Sequence, residues 1–273
     1  MKFHATIHDL ALLIRTVQSL VKIDKIGIIH FTAEQVSFIL DSGQTTDDIQ
    51  VWCSINQDSI FKTYVIESLS ENEIAIEVNF NNLLHALKTG QVSNEMSWKL
   101  TKKDNLPYLS ISILCEINNG LPLVQDVPIQ IITPQNLQRH KEPDLPEPDV
   151  QIMLPQLSKL QCIVDKMKEM ANTILIKANM AGAMSLSIKT DIVSVQTLFK
   201  DLEHPQIEGQ PEYVRDENKT AEIRVDIKKL RKVLYSHYVN PKNAVLCLVK
   251  NQALVVHVLL DVMYLTYYIP ALL

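Results

Sequence analysis

Lys228, Lys229, Arg231 and Lys232 fall within five positions of the stretch "VDIKKLRKVLYSHYV", residues 225–239. Cations at that density do one kind of chemistry without a cofactor: they neutralise phosphates and release condensed counterions. The chain as a whole is acidic, with formal charge −5 over 273 residues. Four helical patterns, 9–24, 79–91, 154–170 and 226–240, hold ten Lys and Arg against five acids, a net of +5. The remaining chain therefore carries −10, so charge divides by element type. Ordinary solvated helix faces would explain one such helix. Four of one sign point to a polyanion that meets only the helices. No aromatic residue is interleaved with these cations, which favours duplex backbone contact over single-strand binding.

Other reactive types are scattered. His4 and His8 are four apart, but His4 lies in a strand pattern, so they do not form a helical metal pair. Asp47-Asp48 and Glu71-Glu73 sit beside turn residues and read as solvated carboxylates. No Gly-x-Ser-x-Gly elbow occurs. The six glycines are dispersed, which excludes phosphate-binding glycine loops. Cys53, Cys115, Cys162 and Cys247 are far apart and read as reduced, mostly buried thiols, without zinc or disulfides. The sequence thus predicts no catalytic centre, metal or cofactor. No apolar run is long enough to predict a membrane span, and no secretory leader is expected. The sequon at Asn218 reads as chance.

The elements that must position the cations repeat. Val78, Phe80, Leu83 and Leu87 map onto Val225, Ile227, Leu230 and Leu234 at a constant offset of 147. The same shift carries Leu10, Leu13, Val17 and Leu20 onto Leu157, Leu160, Val164 and Met167, and Ile28-Ile29 onto Leu175-Ile176. One register held this long predicts an internal duplication. Residues 135–149, "QNLQRHKEPDLPEPD", hold three prolines and six charges and read as an extended linker. Domains of 1–134 and 150–273 follow. Each predicts many strands, among them "KIGIIHFT", "QVSFIL", "EIAIEV" and "YLSISILCEI", and two helices: an α+β class with helices on one face of antiparallel sheet. Register places positions 12, 15, 19 and 22 on the row of 159, 162, 166 and 169, so Arg15, Lys22, Lys159 and Lys166 are expected on one outward row. Lys228, Arg231 and Lys232 are expected outside the last helix. The acidic segment 201–219 reads as a flexible solubilising loop.

Short motifs run from end to end: "MKF" (1–3), "VWC" (51–53), "ALKT" (86–89), "VPI" (127–129), "PDV" and "LP" (148–155), "VDKMK" (164–168), "FKDL" (199–202), "VNP" (239–241) and "YYIPAL" (267–272). By these the whole chain resembles the PCNA-like sliding clamp family. Within that family it is similar to the Hus subunits of the heterotrimeric DNA-damage checkpoint clamp, the nine-one-one complex. It departs at His4 and Thr6, where the family more often has Arg or Lys.

The resemblance implies a ring of six domains, two per subunit, with strands outside and helices lining the hole. Arg15, Lys22, Lys88, Lys159, Lys166, Lys228, Lys229, Arg231 and Lys232 would face duplex DNA. Subunits would join through edge strands: Tyr108, Leu109, Ser110, Ile111, Ser112, Ile113 and Leu114 in the first domain, and Ile174, Leu175, Ile176, Lys177 and Ala178 in the second. The connecting loop, with Leu137, Pro143 and Leu145, would shape a client-peptide pocket with Tyr268, Ile269, Pro270 and Ala271. The implied partners are two paralogous clamp subunits, a clamp loader, duplex DNA, and checkpoint and repair proteins. The implied setting is the nucleus, with some chain cytoplasmic before assembly. Three readings compete: a homotrimeric replication clamp, a DNA-processing enzyme on a duplicated scaffold, and an interaction module whose basic face is incidental.

Overall fold

The computed structural model describes residues 1–41, 48–93, 95–114, 121–205 and 219–272. The chain divides into two compact units, Met1–Gly43 with Trp52–Glu142, and Gln44–Val51 with Pro143–Leu273.

The first unit runs β1 (Lys2–Ile7), α1 (Leu10–Leu20), β2 (Ile26–Phe31), β3 (Gln35–Leu40), β4 (Gln50–Asn56), the single turn α2 (Gln57–Ile60), β5 (Phe61–Glu67), β6 (Ile74–Asn79), α3 (Phe80–Thr89), β7 (Glu95–Lys103), β8 (Leu106–Leu114), β9 (Leu123–Ile132) and α4 (Pro134–Leu137). Its strand order is β4-β3-β2-β6-β9-β8-β7-β1-β5. The second runs β10 (Val150–Met153), α5 (Leu157–Lys168), β11 (Thr173–Asn179), β12 (Met184–Lys189), β13 (Ser194–Phe199), β14 (Thr220–Asp226), α6 (Ile227–Leu234), β15 (Asn243–Val249), β16 (Ala253–Leu259) and β17 (Met263–Pro270). Its strands form β10-β15-β16-β17 and β13-β12-β11-β14.

The offset of 147 is visible in these boundaries. Shifted by it, α1 starts at 157, where α5 starts, and α3 starts at 227, where α6 starts. β6 shifted covers 221–226, matching β14. The counterpart of β5 would fall at 208–214, outside the described residues, as does most of the acidic segment 201–219.

Alternation explains the strands. β14 reads exposed and buried in turn, with Ala221, Ile223 and Val225 inward. In the first unit the inward faces carry rings: Trp98 is fully buried, with Phe61 5.8 Å and Phe31 6.5 Å from it between centroids. Tilted and edge-on arrangements of this kind add to simple area burial. Gly27 of β2 is required by close approach, because a Cβ there would stand 2.5 Å from the Phe80 ring.

α1, α3 and α6 each begin at a side-chain cap, whereas α5 has none. Asp9 accepts from Leu12 N–H at 2.8 Å, Asn79 from Asn81 N–H at 3.0 Å, and Asp226 from Lys228 N–H at 2.7 Å. Such caps satisfy N–H groups that have no intrahelical partner. α1 packs on α3, and α5 on α6.

The linker differs from the expectation at its start. Residues 134–140 form α4 and one 3₁₀ turn, because Thr133 caps Asn136 N–H and Pro134 occupies the first helical position. His140 then anchors the segment, with its Nδ1 3.2 Å from Asp41 and its carbonyl accepting from Trp52 Nε1 at 3.2 Å. Residues 141–148 have no regular structure.

Candidate nucleic-acid interface and strand edges

α6 is the most basic element. Its inward face is Ile227, Leu230, Val233 and Leu234, all buried. Lys228 and Lys232 are exposed, while Lys229 and Arg231 are half-buried. Asp226 supplies the cap, and the cations of the last turn favour the negative end of the helix dipole. Arg231 departs from a free outward cation. Its Nε donates to Asp165 Oδ1 of α5, a hydrogen bond that raises the guanidinium pKa above its ordinary value, and its charge lies 5.3 Å over the Tyr235 ring.

On α5 the expected split holds in full. Leu157, Leu160, Val164 and Met167 are buried. Lys159, Cys162, Lys166 and Glu169 are exposed along one row. Lys168 pairs with Glu169 at 3.6 Å.

α1 corrects the expectation of a shared row. Arg15 and Lys22 are exposed, but Leu12 and Ser19, expected on the same outward row, are buried. A second packing partner lies at the start of this helix. The α2 turn sits beside α1, where Ile60 C=O accepts from His8 N–H at 2.6 Å and Asp9 N–H at 3.2 Å. The second unit shows no such turn among its described residues. Lys88 is exposed on α3, beside exposed Asn81, Asn82 and His85. The helix surface of the first unit is therefore polar and sparsely basic, and most of the cations sit on the second.

The strands expected at subunit edges are interior. β8 pairs with β7 on one side, Tyr108 opposite Thr101, and with β9 on the other, Tyr108 opposite Pro128. Leu109, Ser110, Ile111 and Ile113 are buried, leaving Ser112 half-buried and Leu114 exposed. β11 lies between β12 and β14, with Ile174, Ile176 and Ala178 buried, Leu175 half-buried, and Lys177 paired to Glu222 at 3.7 Å. Ladder groups already bonded on both sides cannot accept another strand.

Open edges lie one strand away in the first unit and two strands away in the second, and β5, β10 and β14 also end their sheets among the described residues. β9 bonds β8 through Leu123–Pro128 and β6 through Ile129–Ile132. The outer side of 123–128 has no strand partner among the described residues. Leu121, Leu123 and Val124 are exposed there. β13 bonds only β12 among the described residues, and none of its side chains is buried. Ile192, Val193 and Leu198 are exposed along it. Among the described residues each edge leaves one side of six residues without a strand partner.

Of the pocket residues, Leu145 and Tyr268 come together. Both are half-buried against Val245, Cys247, Val249, Ala253 and Val255. Pro143, Pro270 and Ala271 are also half-buried. Ile269 is fully buried and lines no surface, because alternation along β17 turns it inward between Tyr268 and Pro270. Leu137 is half-buried in α4.

Comparison with known proteins closes the question of family. A family model described as Hus1-like protein matches residues 1–273. The chain belongs to the Hus1-like family. It is 36% identical over 274 residues to the checkpoint protein hus1 homolog of Dictyostelium discoideum, covering 100% of this chain and 99% of that one. It is 34% identical over 280 residues to the human checkpoint protein HUS1, covering 100% of each. The fission-yeast checkpoint protein hus1 is 32% identical over 287 residues, with 98% of each covered. Among solved structures, proliferating cellular nuclear antigen of Entamoeba histolytica superposes with TM-score 0.74 at 16% identity, over 99% of both chains. That of Thermococcus kodakaraensis gives 0.71 at 16%, over 99% of this chain and 100% of that one. The Hus1-like chain thus has the α+β sliding-clamp fold.

Other titratable groups of this Hus1-like chain are shifted by burial and by hydrogen bonding. Burial raises the Cys53 thiol far above its ordinary range and pushes Cys247 up to about 12. Cys162 is exposed, and Cys115 lies outside the described residues. Asp126 of β9 is held below the usual carboxylate range by hydrogen bonds from Lys103 and then Ser110. His30 pairs with Glu73 at 3.1 Å. Asp47 is outside the described residues, and Glu71 sits in a turn at positive φ. Among the described residues no cluster of three His, Cys, Asp or Glu could hold a metal, and no helix is long and apolar enough to cross a membrane.

Several features escaped the sequence reading, β9 and the α2 turn among them. β5 carries little alternation and is absent from the expected strands. The turn after α6 brings Tyr235, His237 and Tyr238 together beside the cations. The available signal was spacing, since Tyr235 stands seven residues after Lys228 on the same helical row.

Proposed function

We propose that this chain is a non-enzymatic subunit of a ring-shaped checkpoint clamp. Three subunits, this one and two paralogues, would close a ring around duplex DNA at damage and recruit checkpoint-signalling and repair proteins. A clamp loader would place the ring, and the work would be done in the nucleus. The observation that carries the reading is the row Lys159, Lys166, Lys228 and Lys232. It is exposed on two helices whose other faces are packed in the core of an otherwise acidic chain. Contacts of this kind grip phosphates without reading bases, as a sliding ring requires.

β9 and β13 are the proposed joints. An incoming strand would complete the ladder at each, and the exposed apolar residues beside them would be covered. The half-buried surface of Leu145 and Tyr268 is the proposed seat for client segments. The proposed domains are 1–134 and 150–273, joined by the connecting loop 135–149.

The test is retention on DNA of two topologies. The assembled trimer, loaded by an ATP-driven clamp loader, should stay on a closed circle at high salt and leave the same DNA once it is cut. Equal loss from both forms would contradict encirclement.

A further inference from the structure

Immediately after α6 the chain turns through a 3₁₀ segment, Tyr235–Val239. Ser236 and Val239 point inward and are buried. Tyr235, His237 and Tyr238 stay half-buried, so three rings in four positions are held at the surface. They are ordered by one another. The Tyr235 and Tyr238 centroids are 5.6 Å apart at 44°, and His237 meets Tyr238 at 4.5 Å and 60°. His237 Nδ1 lies 2.9 Å from the Leu234 carbonyl, which orients the imidazole. On the other side the Arg231 guanidinium covers Tyr235, itself fixed by Asp165.

Position relates the cluster to the cations. Lys228, Lys232 and Tyr235 follow at intervals of four and three, so they stack on one helical row, opposite the buried Leu230 and Val233. A row of exposed ammonium groups therefore runs into a preassembled aromatic surface. A continuous duplex uses only the first of these, because its bases are stacked on each other and show no open face. Unpaired nucleic acid uses both: cations track its phosphates and rings stack its bases.

We propose that Tyr235, His237 and Tyr238 form a stacking site for an unpaired base, with Lys228 and Lys232 on the neighbouring phosphates. The inference rests on the helix-face reading above and refines its ligand to DNA in which duplex meets single strand.

Anisotropy titrations of the full chain at low salt, with a labelled blunt duplex and the same duplex carrying a single-stranded tail, test it. The tailed DNA should bind about tenfold tighter, the scale of one base–aromatic stack. The double variant Tyr235→Leu/Tyr238→Leu should lose that preference and keep its affinity for the blunt duplex, which also reports that it is folded. Tyr235→Phe/Tyr238→Phe, which keeps both rings, should retain the preference. Equal binding of both DNAs by the unaltered chain would overturn the stacking site and leave the helix-face reading standing. Binding of neither would overturn the two together.

Discussion

Arg231 of α6 donates from Nε to Oδ1 of Asp165 on α5, 66 residues earlier in the chain. One member of the cationic row is thus spent on holding two helices together. Both side chains are about one-third exposed, so solvent screens the pair.

Lys228 and Arg231 should therefore separate by experiment. Arg231→Ala should lower stability by about 1 kcal/mol, the upper end for an exposed pair, with added loss of packing on Tyr235. Lys228→Ala should leave the unfolding midpoint unchanged and reduce the salt slope of DNA binding by about one. Denaturant titration and binding at several salt concentrations check both. Equal effects of the two substitutions on the salt slope would make Arg231 a free phosphate ligand after all.

Cys162 reports the same surface chemically. It stands between Lys159 and Lys166 on the exposed row of α5. Cys53 and Cys247 are buried with raised thiol pKa values. The thiolate is the reacting form, so a maleimide at mild pH should modify Cys162 and spare those two. Duplex DNA should slow the modification severalfold at low salt and lose this protection at high salt. Peptide mapping identifies the site. Unchanged labelling with DNA bound would remove α5 from the interface.

Leu198 of β13 and Val124 of β9 are exposed in the chain and lie on the open edges. Leu198→Asp and Val124→Asp should each change stability by no more than about 0.5 kcal/mol, as exposed sites do. Each should abolish pairing with one neighbour subunit in co-purification. The comparison substitution Leu175→Asp, inside the β11 ladder, should instead cost stability before it affects assembly.

Asp126 gives a pH dependence with a definite sign. Its folded pKa lies below the unfolded value, mainly through the hydrogen bond from Lys103. Its contribution is complete above the ordinary aspartate value of about 3.9 and is lost as pH falls through the lower folded value. Asp126→Asn should therefore be less stable than the unaltered chain at neutral pH, and the difference should shrink in acid. A difference that grew on acidification would have the wrong sign for a depressed carboxylate.

Periodicity carried the helices and most strands from the sequence, because apolar spacing records which face is buried. The offset of 147 located the start of α5 and α6 from that of α1 and α3. Pairing was not legible in the same way. Nothing in "YLSISIL" distinguishes a strand bonded on both sides from one bonded on one, so the spacing could not correct the edges that the resemblance implied at β8 and β11. β13 is sparsely buried and bonds only β12 among the described residues. The four-residue turn α2 has too few positions to show a period, yet its Ile60 carbonyl accepts from the N–H groups of His8 and Asp9 at the start of α1. The rings at 235–238 lie one turn beyond the cations on the same row, so they are not interleaved with them.

The central claim is that this chain joins two different partners through β9 and β13. Molar mass by light scattering after size exclusion tests it most directly, for the chain alone and co-expressed with its two candidate paralogous subunits. A monomer alone that becomes a one-to-one-to-one trimer is the result the account predicts. A stable homotrimer of the chain alone would contradict it and favour a self-assembling replication clamp.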